Sequence, residues 1–544
     1  MSQYLQFRSW VHTSSAAEKT LAAAAAAVVV GLVAWALVPT NGTGSTVAVG
    51  TVGGAPGSSQ GTPAGQSAGP NGASVTGGPT GSVGAGGGAA AGGGAAASGG
   101  SGGGSGTVGG ASAGAGGGGS AGGGSAAGGT AGGSSCGTLS STDTGVTPTQ
   151  IKVADILLNL AGAIGNSAVG QPSPQVQQQI AQAVVDDINT HGGVACRKLV
   201  VQFYEANPID PTSTQNVCLQ IQQAGVFAVI GGFAFPQGAN DCLAQKKLPV
   251  IANAAPTPLE AKQYYPYLMS VSPDPTQDYR NAILGMRDRG LFTAAQGFSK
   301  VAILEDDCSP EINRAVNTYL VQAGVPSGQI VKNEFSCPSS GFASPSDMSN
   351  FATQDHLAGV THVVVVTGGG SFKEYSNAAQ GQGYKPKYLV SNYQGFLVTA
   401  TGGTGPDPNN FDGTVATTDT RFGENNTPGL TDPATQACIA LFARHNLPSS
   451  YITGSYLAGG TCNLFGLFAA AAARDPGLTR AGLAAGLGQV GRFNEAFPAA
   501  DSIYKAPGSF TPVKVTGGDF WWTIQFLASC TCWKVINPSL HPTY

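Results

Sequence analysis

The chain has 544 residues, 83 of them glycine, and 10% are charged, against about a quarter in ordinary globular chains. Its net charge of −4 and the absence of any Lys/Arg cluster argue against a nucleic-acid or anionic-membrane surface. The length leaves room for more than one compact domain.

Residues 21–38, LAAAAAAVVVGLVAWALV, form an uncharged apolar run. Its length lies between a membrane helix and a long signal peptide. Arg8 and Lys19 precede the run, and no Lys or Arg follows until Lys152, so residues 1–20 are expected in the cytoplasm and the rest outside. A retained anchor on the outer face of the cytoplasmic membrane is favoured, because a tail precedes the run. Ala34-Trp35-Ala36 offers a cleavage site, and secretion is the alternative. Residues 39–135 are Gly, Ala, Ser and Thr with occasional Pro and no charge. Such a segment cannot bury enough apolar surface to offset ordering entropy, and a disordered linker is expected. As a Gly-rich coil it spans roughly 55 Å on average.

All ten cysteines lie at or beyond Cys136, on the exported side, and imply disulfides. Local pairs suggest themselves: Cys218 with Cys242, Cys308 with Cys337, and Cys438 with Cys462. Cys136, Cys196, Cys530 and Cys532 remain, with the possibility that they join the domain's two chain ends to its first unit.

From Gln150 the pattern alternates between strand and helix. Strands are expected at 151–158, 198–205, 226–230, 248–252 and 268–271, with helices at 173–190, 212–224 and 237–245 between them. After Ser272-Pro273-Asp274-Pro275 a second round begins: helix 276–291, strand 300–304, helix 310–323, strand 329–335, strand 361–366, helix 372–380 and strand 387–391. Continuous Val/Ile runs such as THVVVV (361–366) read as strands covered on both faces, as in parallel sheets. A strand at 413–421, helices at 433–445, 455–474 and 479–487, and a late strand at 519–526 follow. The reading is two α/β, Rossmann-like lobes with a hinge and an interlobe cleft. Its boundaries are 136–271 for the first part of lobe 1, 272–395 for lobe 2, and 396–544 for a return to lobe 1 with a final crossing. Ligands of such sheets sit at the carboxyl ends of the strands.

Catalytic and metal motifs are few. Gly486-Leu487-Gly488-Gln489-Val490-Gly491 matches G-x-G-x-x-G, but it follows a helix rather than a strand, so the dinucleotide reading fails its context. There is no phosphate-binding GxxxxGK[ST] loop, the six histidines are scattered, and no G-x-S-x-G elbow lies in the ordered region. No cofactor, metal site or enzymatic activity is expected.

The ordered series GVTPTQIKVADILLNLAG (145–162), NTHGGVACRKLVVQFYEANPIDP (189–211), VFAVIGGF, LPVIANAAPTP, YLMSVSPDPTQDYRNA, KVAILEDD and THVVVVTGGGSFKEYSNAAQGQGYKPKYLVSN resembles the type I periplasmic binding proteins. Within them it is most similar to the branched-chain amino-acid (Leu/Ile/Val) group of ABC-transporter receptors, over about residues 145–530. The resemblance implies a ligand carboxylate held on two lobe 1 loops, here Phe233, Ala234, Phe235 and Gln237, then Ala254, Ala255 and Thr257. An aromatic cover comes from the loop holding Gly369 and Phe372. The ammonium is held from the loop of Asn392 and Tyr393. The chain departs from that pattern. Phe233-Ala234-Phe235 stands where a hydroxyl is expected, and Asn392-Tyr393-Gln394 offers no carboxylate. Glu305 or Asp306 are the replacements considered, against the reading that Asp306, Asp307 and Ser309 cap the following helix. Aromatic residues around the loops point to an apolar pocket, or to ordinary packing. The expected function is capture of an amino acid or a related carboxylate by hinge closure, with separate permease and ATPase subunits as partners. The alternatives are a ligand sensor and a cell-wall-associated adhesion protein reusing the fold.

Overall fold

The computed structural model describes residues 138–160, 165–166, 171–208, 210–231, 239–253, 255–337, 343–391, 393, 405–420, 433–448, 456–496, 501–504 and 514–544. The chain divides into two units, Met1–Ala113 and Gly114–Tyr544, and all of these residues lie in the second. The expectations for residues 1–20, 21–38 and 39–135 therefore lie outside the described residues. Among the described residues no helix is long and apolar enough to cross a membrane.

The first lobe begins with β1 (Gln150–Leu158), α1 (Pro174–Thr190), β2 (Lys198–Ala206), α2 (Pro211–Gln223), β3 (Ala228–Ile230), α3 (Ala239–Gln245), β4 (Val250–Ala252), α4 (Pro258–Tyr264) and β5 (Leu268–Ser270). The five strands form one parallel sheet in the order β2-β1-β3-β4-β5. β3, β4 and β5 are buried at every position, and Ser270 of β5 is the one polar residue among them, as strands covered on both faces require.

The second lobe follows with α5 (Pro275–Asp288), β6 (Val301–Asp306), α6 (Pro310–Gln322), β7 (Ile330–Phe335), α7 (Pro345–Ala358), β8 (His362–Val365), α8 (Gly369–Gly381), β9 (Lys387–Val390), α9 (Pro408–Phe411) and β10 (Val415–Thr418). The chain then returns to the first lobe with α10 (Pro433–Arg444), α11 (Tyr456–Ala472), α12 (Leu483–Val490) and a small hairpin of β11 (Arg492–Phe493) and β12 (Ser502–Ile503). α10, α11 and α12 share one apolar core with β1 and α1. Finally β13 (Phe520–Leu527) and β14 (Cys532–Pro542) cross back. The second sheet runs β14-β13-β10-β9-β8-β6-β7, with β13 antiparallel to both of its neighbours and all other pairs parallel. β10 thus stays in the second sheet, beyond residue 396, where the sequence reading returns the chain to lobe 1. The return begins only after Thr420.

Helix starts share one local device. Ser173, Asp210, Thr257, Asp274, Ser309, Ser344 and Asp407 each precede a proline at the start of a helix. Proline at the first helical position gives up an N–H that has no partner there, and the polar residue before it accepts from the next free ones. The side chains of Ser173, Asp210, Thr257, Asp274 and Asp407 do so. The same signal marks α4, α7 and α9, three helices the periodicity of the sequence does not announce. β14 is also unannounced, because Pro538 and Pro542 interrupt its sequence. An edge strand tolerates them.

The three local disulfides are present: Cys218–Cys242 joins α2 to α3, Cys308–Cys337 joins the loops after β6 and β7, and Cys438–Cys462 joins α10 to α11. The remaining cysteines do not tie the far chain end to the first unit. Cys530 bonds Cys532 at the tip of the β13–β14 hairpin. Cys196 is also disulfide-bonded, and Cys136 lies outside the described residues.

Candidate functional site

The carboxyl ends of β1, β3 and β4 place Leu158, Gly231 and Asn253 along one edge of the lobe 1 sheet. Gly231 has φ +89°, and a Cβ there would fall 2.3 Å from Oδ1 of Asp155 on β1. Only glycine permits the chain to turn so close over that carboxyl. Asp155, Gln177, Gly231, Thr461, Leu464 and Phe465 line a small recess here. Gln177 is fully committed: its Oε1 accepts from the Leu158 N–H at 2.8 Å, and its amide donates to the Leu158 and Pro172 carbonyls. α11 closes the same edge, since a Cβ at Gly460 would lie 3.0 Å from the Asn253 side-chain oxygen.

Burial pushes the Asp155 carboxyl up to about 7, with its bond from the Ile156 N–H opposing the shift. The neutral acid is therefore the form that the fold favours. Stability from this group is full below the ordinary value of 3.8 and is lost as pH rises to about 7, above which the loss is complete. Asp155→Asn is expected to remove a fall of up to about 1.4 kcal/mol per pH unit across that window. Urea unfolding at a series of pH values reads this. Asp241, raised to about 7 by burial and by Glu260, leaves its own slope in both proteins.

The residues expected to contact a ligand have varied placements. Phe233, Ala234, Phe235, Gln237, Ala254 and Asn392 lie outside the described residues. Ala255 is buried beside β4. Thr257 is used as a helix cap: its hydroxyl accepts from the Glu260 N–H at 3.2 Å, while Glu260 Oε2 accepts the Thr257 N–H at 2.8 Å. That reciprocal pair is the T-x-x-E capping box written in the sequence itself. The Thr257 N–H is therefore not a free donor for a ligand.

In lobe 2, Gly369 opens α8, and Phe372 is fully buried in the core of the lobe. It packs edge-on against Tyr388 at 4.8 Å and Phe411 at 5.7 Å, so its ring is part of the lobe's core. Tyr393 packs edge-on against Tyr279 of α5 at 5.9 Å. Glu305 is 1% exposed at the end of β6, with Lys332 Nζ on β7 3.8 Å from one oxygen. Burial raises its carboxyl, and Lys332 opposes the shift. Asp306 shapes the turn into α6: its side chain accepts from the Cys308 N–H at 3.2 Å, and its carbonyl accepts from Asn313 at 2.7 Å. Asp307 accepts from the Cys337 N–H, and Ser309 occupies the cap position without a side-chain bond.

The structure supplies carboxyls that the sequence pattern did not single out. Asp278, in the first turn of α5, meets Ser391 and the Tyr393 backbone at the end of β9, and Asp419 at the end of β10 faces it. Burial, then the Asp419 charge, hold Asp278 well above the usual carboxylate range. Acidic side chains therefore stand beside the β9 loop, on α5 and β10. Nothing in the spacing of YLMSVSPDPTQDYR or VATTDT announces that meeting.

Residues 159–511, well over half of the chain, match the model of a family described as periplasmic binding protein. The chain belongs to the periplasmic binding protein family. Solved structures of the same fold include a possible leucine/isoleucine/valine-binding protein from Rhodopirellula baltica. It is 15% identical, with 72% of this chain and 97% of that chain covered, at a TM-score of 0.52. A leucine-binding protein from Thermotoga maritima is 15% identical, with 72% and 98% covered, at a TM-score of 0.51. A solute-binding protein of an ABC transporter from Rhodopseudomonas palustris, in complex with 3,4-dihydroxybenzoic acid, is 14% identical, with 72% and 98% covered, at a TM-score of 0.52. No curated protein matches. At these identities the likeness of this binding protein to the solved structures is one of fold. Its disulfides fit the oxidising side of the membrane on which the family works.

Proposed function

We propose that this binding protein is the receptor subunit of an ABC importer, taking an amino acid or a related organic acid between its lobes. The observation that carries this reading is the joining of two α/β lobes by chain crossings that pack against one another. Ser270 N–H donates to the Val515 carbonyl at 2.8 Å, and Gly517 N–H to the Ser272 carbonyl at 3.0 Å. Such a bundle of crossings acts as a hinge. Closure is driven by the contacts a ligand gains from the second lobe, and the closed form is what the permease recognises. Permease and ATPase are separate chains in this proposal. Residues 21–38 anchor the protein to the outer face of the cytoplasmic membrane, and residues 39–135 are the tether that keeps it near its permease.

Thermal unfolding of the full chain, disulfides intact, tests the reading against branched-chain and aromatic amino acids, aromatic and aliphatic carboxylates, amides and polyols. Saturation at a hundred times the Kd adds about 2.7 kcal/mol, a rise of a few degrees. A rise with one chemical class identifies the ligand type. No rise with any member of the panel counts against import and for the adhesion reading.

A further inference from the structure

The crossings between the lobes bring three carboxyls to one place. Asp278 follows the first crossing, Asp419 stands at the start of the second, and Glu495 lies between β11 and β12, ahead of the third. They are 5%, 8% and 7% exposed. The Asp419 charge acts on both Asp278 and Glu495. Asp274 and Tyr279 of α5 also face Asp278. Lys514, Asp501 and Tyr504 face Glu495. Lys514 is held by Asp519 at 2.7 Å, and Asp501 by Arg492 at 3.3 Å.

Glu495 is tied directly to the third crossing. Its carboxyl bonds Ser502, and Ser502 Oγ accepts the Gly518 N–H at 2.8 Å. Its Oε1 is buried without a hydrogen-bond partner among the described residues. Tyr504 next to it donates to the Ser270 carbonyl, on the strand that leads into the first crossing, at 2.9 Å.

We propose that Asp278 and Glu495, both under the influence of Asp419, make the hinge proton-sensitive, their neutral forms allowing the crossings to pack as seen and their ionised forms prising them apart. Like charges at close range in a desolvated site repel strongly, and burial penalises each charge separately. Burial is the leading cause that holds both Asp278 and Glu495 well above the usual carboxylate range. With raised values in the packed state, the packed hinge is favoured at low pH and loses that advantage as pH rises above the ordinary carboxylate values of 3.8 and 4.5. Acid would favour the packed hinge and neutral pH a looser one.

The inference rests on the hinge reading, and the test separates the two. Hydrogen exchange of the full chain is followed on peptides covering 268–275 and 514–519, each rate divided by the intrinsic rate at that pH, with β8 as reference. Protection of the crossing amides is expected to fall as pH rises above about 5, by up to about tenfold per pH unit for each proton released. Glu495→Gln or Asp419→Asn, whichever folds, is expected to reduce that fall markedly. No fall in the wild type, or an equal fall in the variants, overturns the proposal. Should the wild type show no fall and yet gain ligand-dependent thermal stability, the proton linkage alone is lost. Absence of both responses removes the hinge reading with it.

Discussion

Gly517→Ala is expected to cost at least about 3 kcal/mol of stability and to weaken ligand binding wherever the protein still folds. A Cβ at Gly517 would stand 1.9 Å from the Val271 carbonyl oxygen and 2.6 Å from Ser502 Oγ, and the first of these is backbone that cannot swing aside. Gly518 beside it has φ +68°, and its Cβ would fall 2.4 Å from Pro273 Cδ. The first and third crossings thus touch through two glycines, and a side chain at either one must push the crossings apart. Gly324→Ala provides the control. Its φ is +87°, with nothing within 4 Å of a Cβ. It should therefore lose only the cost of a left-handed conformation, about 1–2 kcal/mol. Chemical denaturation of the two variants reads the difference. Equal losses at Gly324 and Gly517 would show that close approach of the crossings does not matter.

Phe372→Ala is expected to cost about 3–5 kcal/mol, as truncation of a buried aromatic does. Phe372 is fully buried, with Tyr388, Phe411 and Tyr375 around it at ring distances of 4.8, 5.7 and 6.3 Å. Phe411 in turn contacts Phe526 and Trp533 of the returning hairpin, so the cluster holds β13 and β14 onto the lobe. Phe372→Leu keeps most of the volume and should lose less than about 1.5 kcal/mol, with ligand affinity unchanged. If Phe372→Leu instead kept stability and lost affinity, the ring would be a ligand cover after all. Unfolding and ligand-dependent thermal shifts measured on both variants decide this.

Much of the fold was legible along the chain because its signals are local. THVVVV and VFAVI are short, rich in β-branched residues and end at glycine turns, so they read as strands covered on both sides. The disulfides Cys218–Cys242, Cys308–Cys337 and Cys438–Cys462 each close within neighbouring elements. Other local signals were present but did not stand out. Thr257-Pro258-Leu259-Glu260 spells a capping box, and Ser344-Pro345 and Asp407-Pro408 start helices by the same chemistry. The candidate site was less legible for a different reason. Strand ends can be located in a sequence, but whether Thr257 is spent on a cap, or Phe372 on a core, depends on what packs against them.

What the amino-acid sequence determined by itself was most of the succession of strands and helices and the local disulfides, since each follows from neighbours along the chain. Only the tertiary structure decided that β10 stays with the second sheet and that Phe372 is core. It also decided that Gly517 meets Val271, and that Asp278, Asp419 and Glu495 share one hinge. Those residues lie far apart in the chain. Their charges and close contacts interact only once the crossings between the lobes have brought them together and removed the water between them.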